Sequence, residues 1–273
     1  MTPREQVLHS EKLAKLSPLV VIENGAPLCQ IEGCTHHPRK PDAFCLKHRH
    51  METKLKDKLS GSEPPYTPER WNSPYVQKVH NCFAYALNIL SDTLSKKCKD
   101  TNVCNTHQPG EQSKWPPMDE KTCPNLIARI LGDDDYTPTE YSQRCPKGTS
   151  MIAFIIDTVR DYHVLRLDDT GYFSHKGGQG PATDLDAQGH KIADVRRANF
   201  NYSDRPDKLN YTHFCGYFCI SRSVVHAAVP NGGRRYQKTR RLSSREQVRQ
   251  RLQKKQRQQQ KNTTRLRRRK TYR

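Results

Sequence analysis

The sequence contains no apolar run of the ~18 residues that a membrane-spanning helix needs, so no transmembrane segment is expected. Its first residues, MTPREQVLHSEKLAKLSPLVV, lack the basic, apolar and small-residue zones of a secretory leader. The expectation is an intracellular, non-secreted protein. Apolar residues are scarce as well, at 33% of 273 residues, against the usual ~45–50%. Part of the chain is therefore expected not to fold by itself. There is no internal repeat.

Acids are almost missing from the C-terminal end. Residues 231–273 hold 18 of the 47 Lys and Arg but one of the 28 acids, Glu246; ahead of them stand 29 bases against 27 acids. The net charge of +19 is thus the property of a tail on a nearly neutral body. Beyond Leu242, Val248, Leu252 and Leu266 the tail has little to bury, so a disordered basic segment is expected, with at most a fluctuating helix through residues 244–260. Each Lys or Arg that neutralises a phosphate releases a counterion, so DNA or RNA is the expected partner. An acidic protein, a membrane surface or a nuclear import role has the same composition. A nuclear location is consistent with it.

What is present divides the chain into four sections: residues 1–60 with a cysteine- and histidine-rich knot, a proline-rich linker or wrap over 61–76, a folded domain over 77–230, and the tail over 231–273. In the domain, VHNCFAYALNILSDTLSK reads as one strong helix with Phe83, Leu87 and Leu90 near one face. A shorter helical candidate runs from Pro124 to Leu131. The pattern then changes to strands: MIAFIID, DYHVLRL, GYFSH and NYTHFCGYFCIS. Helix first and consecutive strands after predicts an α+β domain with an antiparallel sheet.

Asn81 is a suitable N-cap for the strong helix, which puts Cys82 in its first turn. The free N–H groups and dipole of a helix start favour a thiolate, and the same N–H groups can hold an oxyanion. A nucleophilic thiol needs a base, and the base needs an orienting group. His163 shares a strand face with Leu165 and Leu167, and His175 lies on the next strand. If Asp169, Thr170 and Gly171 form a three-residue loop with Gly171 left-handed, Leu165 faces His175 and both histidines share one face. A two- or four-residue loop would part them. The candidate catalytic set is therefore Cys82, His163 and His175. Asp184 and Asp186, in the polar loop after His175, are available for substrate contacts, though an ordinary surface loop has the same composition.

In CQIEGCTHHPRKPDAFCLKH, Cys29, Cys34, Cys45 and His48 form two close pairs joined by a turn-forming interval, a spacing that suits one tetrahedral structural zinc ion. His36, His37 and His50 are alternatives to His48. Cys98, Cys104, Cys123 and Cys145 have spacings too irregular to define a second metal site. Cys215 and Cys219 are placed on the same side of the last strand, packing in the core. A disulfide framework suits a secreted chain and is not expected here.

The words NCFAYALN, QPG at Gln108–Gly110, DYHVLR, GYFSHKGG, PATDLDAQGHKIAD and FCGYFC resemble an uncharacterised family of bacterial and large-virus proteins with an NC(Y/F)AYA…DYH…WSHK pattern. That family in turn resembles the NlpC-type branch of papain-like cysteine peptidases. The resemblance covers roughly residues 71–222. It implies a nucleophile-bearing helix packed on an antiparallel sheet, with Cys82 as nucleophile, His163 as general base and acid, and His175 orienting the imidazole. The implied activity is a thiol hydrolase or acyltransferase acting on an amide, peptide or ester bond. Phe83, Val164 and Phe173 depart from the family's Tyr and Trp, which bears on substrate contacts. The knot is similar to cysteine-rich repeats of algal and algal-virus proteins, which have a longer middle interval. The alternative is a non-enzymatic nucleic-acid-binding or virion structural protein on an inactive scaffold of the same fold.

Overall fold

The computed structural model describes residues 20–22, 25–102, 108–111, 113–133 and 136–221. Every described residue falls in the compact unit Met1–Asn231. The expected basic tail, the first 19 residues and Cys104 lie outside the described residues.

Strands β1 (Val20–Val21), β2 (Tyr136–Thr139), β3 (Thr149–Asp157), β4 (Asp161–Leu167), β5 (Phe173–Lys176), β6 (Ala182–Thr183) and β9 (His213–Ser221) form one antiparallel sheet. Its order is β1-β9-β3-β4-β5-β6, with β2 also pairing with β9. Strands β7 (Asn201–Tyr202) and β8 (Leu209–Asn210) make a separate pair. The helices are α1 (Pro68–Trp71), α2 (Pro74–Val79), α3 (Cys82–Ala86), α4 (Asp92–Thr101) and α5 (Cys123–Asp133), with a 3₁₀ segment over Leu46–Lys58. The fold class is α+β with an antiparallel sheet. Among the described residues no helix is long and apolar enough to cross a membrane.

Side chains alternate across the central strands, so the sheet separates two cores. Ile152, Phe154, Ile156 and Val164 pack with Phe83 of α3 and with Leu126, Ile127 and Ile130 of α5. Met151, Ala153, Ile155, Leu165 and Leu167 project the other way, under Ile192, Phe200 and Tyr211. The apolar spacing of α5 at 123, 126, 127 and 130 is the 3.6-residue stripe that one buried helix face requires.

The strong helix is shorter than the periodicity predicts. It ends at Ala86 with Leu87 as its C-cap, and Asn88 has φ of 55°, which turns the chain before α4 begins at Asp92. A left-handed residue interrupts the helical ladder even where the flanking residues are good helix formers. Asn88 is held there by Arg166, whose Nη1 donates to its Oδ1 at 3.0 Å.

Residues 61–76 lie against the domain. Trp71 is buried with Tyr85 and Ala182, and the Pro64 and Pro65 carbonyls accept from the Asp169 amide and Arg166 Nη2. The cysteine-rich knot is also fastened to it. Gln30 Oε1 accepts from the amides of Ala193 and Asp194, and its Nε2 donates to the Lys191 carbonyl.

The cysteines of the sheet domain correct two expectations. Cys123 is bonded to Cys215 and Cys145 to Cys219, and Cys98 is disulfide-bonded too. Cys215 and Cys219 do not share a side of β9. The pairing register shifts between Phe154 and Ile155, opposite Gly216 at φ of 129°, and this bulge reverses the alternation. Cys215 therefore enters the helix-side core and Cys219 the opposite one. Disulfides persist in oxidising compartments, so the expectation of an intracellular chain loses its support.

The two bridges close intervals of 92 and 74 residues, for which chain entropy in the unfolded state gives roughly 4–5 kcal/mol of stabilisation each. Replacing Cys145 and Cys219 together by Ala should lower the denaturation midpoint markedly while leaving zero-denaturant secondary structure by circular dichroism unchanged. An unaltered midpoint would show that the bridge is not formed.

Candidate functional site

The hairpin that carries both histidines closes in the three-residue form, the one of the open alternatives that lets them meet. The Asp168 amide donates to the Tyr172 carbonyl at 3.0 Å, the Gly171 amide to the Asp168 carbonyl at 2.9 Å, and Gly171 has φ of 87°. A Cβ on Gly171 would also lie 2.7 Å from Leu55 Cβ, so glycine is required there for space as well as conformation. The register sets Leu165 opposite His175. His163 and His175 consequently share a face and meet, Nε2 to Nδ1, at 2.8 Å.

Their proton positions follow from the network. His175 Nε2 lies 3.0 Å from the Leu185 carbonyl, which can only accept, so this nitrogen donates. In the neutral ring Nδ1 is then an acceptor, and His163 Nε2 must donate to it. A neutral His163 is left with Nδ1 as a bare acceptor, the tautomer that a general base requires. Both rings stay neutral because burial disfavours the cation: His163 is pushed well below its usual range and His175 down to about 4. Tyr211 stacks on His163 with ring centroids 5.1 Å apart, and Phe200 meets His175 edge-on.

Cys82 is the first residue of α3, and Asn81 caps it by accepting from the Ala84 amide at 3.0 Å. The thiol is free but 5% exposed, and burial pushes it up to about 12 against the opposing influence of the Val164 amide. It packs in the helix-side core with Tyr162 and Val164. His163, between those two residues, pairs with Ile155 and projects to the other face with Leu165. No hydrogen bond links Cys82 to His163 among the described residues. The fold thus unites the two histidines, and it brings the thiol to the same strand but to the helix side of the sheet.

The Asp186 carboxylate is engaged by backbone amides. Its Oδ1 accepts from the amides of Gln188 and His190 and its Oδ2 from that of Asn199, so the carboxylate pins its own loop. The sequence reading missed a cavity of about 270 Å³ lined by Leu28, Gln188, His190, Arg196 and Arg197. Gln188 and His190 belong to the PATDLDAQGHKIAD segment, but nothing local joins them to Leu28, Arg196 and Arg197.

The knot gathers the four donors that its spacing indicated. The ligand atoms of Cys29, Cys34, Cys45 and His48 lie within 4.8 Å of one another. Cys29 Sγ and Cys45 Sγ are 3.4 and 3.6 Å from His48 Nδ1, and Cys34 Sγ is 3.9 Å from Cys45 Sγ. Tetrahedral ligands at metal–sulfur distances of ~2.3 Å stand ~3.8 Å apart, so the cluster could hold one metal ion. His36 Nδ1 approaches Cys34 alone, and His37 Nδ1 contacts the Pro27 carbonyl instead.

The histidine pair carries a pH signature. His175 has an ordinary value of 6.5 and a folded value of about 4, so acid protonates the unfolded chain first. Stability should be full above pH 6.5 and fall as pH drops towards 4, by roughly 3 kcal/mol from this group. Urea midpoints measured across that window should decline. They should decline less in His175→Gln, which can still accept from His163 and donate to Leu185. Equal slopes would contradict the assignment.

No protein-family model matches the sequence, and no solved structure matches the fold. A curated protein does: the insoluble matrix shell protein 1 of Ruditapes philippinarum is 33% identical over 157 residues, covering 57% of this chain and 88% of that protein. At that identity and coverage, this chain belongs to the same family as insoluble matrix shell protein 1.

Proposed function

We propose that this protein is a structural matrix component, in which a disulfide- and metal-stapled domain anchors a polyanion-binding basic segment. The observation that carries this reading is the relationship to an insoluble matrix shell protein, and it agrees with the state of Cys82, which is a buried thiol raised by desolvation and without a hydrogen bond to a base among the described residues. A thiol in that state is overwhelmingly protonated near neutrality and is a poor nucleophile. The disulfides and the relative's description as an insoluble matrix protein support a load-sharing role outside the cell. The metal is zinc, because three thiolates and an imidazole in a closed tetrahedron match its structural sites and leave no position for chemistry.

A second reading rests on the tautomer chain from Leu185 through His175 to His163, whose outcome is a bare Nδ1. In a papain-like, NlpC-type acyl-transfer site, Cys82 would pass its proton to that nitrogen and attack an amide or ester carbonyl. His163 would then protonate the departing amine or alcohol, and water or another acceptor would release the acyl group. His175 would hold the imidazole. This reading requires a movement that carries the sulfur to His163.

Mass-resolved alkylation of the native, zinc-loaded protein between about pH 5 and 9 separates the two. The structural reading expects Cys82 to label slowly and identically in wild type and His163→Ala. It also expects Cys29, Cys34 and Cys45 to be protected until a chelator removes the metal, with a parallel loss of thermal stability. Fast neutral labelling of Cys82 that slows in His163→Ala would overturn it in favour of acyl transfer. Labelling of the knot cysteines indifferent to chelation would overturn the zinc assignment.

Residues 231–273 would bind the phosphate, carboxylate or sulfate groups of a polyanion, with DNA and RNA among the candidates. Binding to a duplex oligonucleotide should weaken steeply with salt and vanish when residues 231–273 are deleted. Salt-sensitive binding retained by the truncated protein would place the basic site elsewhere.

A further inference from the structure

The cavity described above lies between the segment leading into Cys29, the loop after Asp186, and the 3₁₀ turn Val195–Arg197. We propose that it is a binding site for a small hydroxylated carboxylate of the size of a sugar acid. This inference is independent of Cys82 and of the choice between the two functional readings.

The anionic half of the ligand follows from two guanidinium groups. Arg196 donates through Nε and Nη2 to the Asp194 carboxylate. Arg197 donates through Nε and Nη2 to the carbonyls of Cys29 and Cys34, which bring no negative charge. Neither Nη1 makes a hydrogen bond among the described residues. Asp186, the acid in the lining, is already occupied by three backbone amides. The wall therefore offers, among the described residues, two guanidinium Nη1 groups without a hydrogen bond, which a carboxylate oxygen satisfies.

The hydroxyl half follows from two acceptors. His190 is 2% exposed, and its Nδ1 lies 2.9 Å from the Asp42 carbonyl, to which it must donate. In the neutral ring Nε2 is then an acceptor, and it is buried without a partner. Gln188 Oε1 is likewise buried and without a partner, while its Nε2 donates to the Gly25 carbonyl. Stranded buried acceptors are costly and call for donors. An ammonium would donate too, but it leaves the guanidinium donors unsatisfied; hydroxyl groups on a carboxylate-bearing ligand serve the acceptors while the carboxylate serves the donors. Inorganic phosphate would occupy the guanidinium end alone. A volume of about 270 Å³ is at the small end for ligand sites and suits one sugar ring.

The test is calorimetric titration of the full-length, zinc-loaded protein with D-glucuronate as the probe. Saturable binding is expected, weakened about tenfold or more for D-glucose, which lacks the carboxylate, and for hexanoate, which lacks the hydroxyls. Gln188→Leu should weaken glucuronate by about tenfold, and Leu28→Trp, which fills the cavity, should abolish binding. Thermal midpoint and zinc content check that each variant is folded, and Gln188→Leu serves if Leu28→Trp is not. Absence of saturable glucuronate binding, equal binding of glucose or phosphate, or binding unchanged in a folded variant would overturn the proposal.

Discussion

The arrangement around β4 depends on one buried guanidinium. Arg166 has no solvent exposure, and its donors reach the Asp168 carboxylate, the Tyr85 carbonyl, Asn88 Oδ1 and the Pro65 carbonyl. It also stands 3.9 Å from the centre of the Tyr85 ring. A buried cation is tolerable only when its hydrogen bonds are satisfied, so each of these partners must be held in place. The result couples the proline-rich segment, the end of α3 and the turn of the histidine hairpin. Burial raises the Asp168 carboxyl to about 6 even with Arg166 beside it, which shows how much desolvation this cluster carries. Removing either member would strand the other charge in the core.

The sheet's two faces have different owners. The helix side is closed by α3 and α5 and bridged by Cys123–Cys215, whereas the other side is closed by the long connection from β6 to β9 and bridged by Cys145–Cys219. A single bulge makes this division possible, because it turns two cysteines four residues apart towards opposite cores. The histidine pair belongs to the second face and the thiol to the first. The cysteine- and histidine-rich knot is fastened to the second face through Gln30 and Arg197, so the candidate metal cluster, the cavity wall and the sheet share one set of contacts.

Much of this architecture was legible in the residues. Strands β3 and β4 follow from alternation of large apolar side chains, α5 from its 3.6-residue stripe, and the meeting of His163 with His175 from Gly171 in a three-residue turn. Cys29, Cys34, Cys45 and His48 could be grouped because short ligand spacings confine all four to one neighbourhood. The break of the first helix was not legible, since Asn88 takes its left-handed conformation in partnership with Arg166, 78 residues away. Nor were the disulfides: two-residue periodicity alone sets Cys215 and Cys219 on one side, and the bulge that parts them depends on how β9 pairs with β3.

The sequence by itself determined the α+β class, the grouping of Cys29, Cys34, Cys45 and His48, and the concentration of positive charge beyond residue 230, because each depends on local spacing or on composition; the hairpin register it left to the length of one turn. Tertiary structure alone decided that Cys82 and His163 face opposite cores, which cysteines are bonded, and that Gln188, His190, Arg196 and Arg197 surround one cavity. Those outcomes depend on which segments pack together across tens of residues. Strand alternation assigns a side chain to a face, but only the packed fold determines what covers that face.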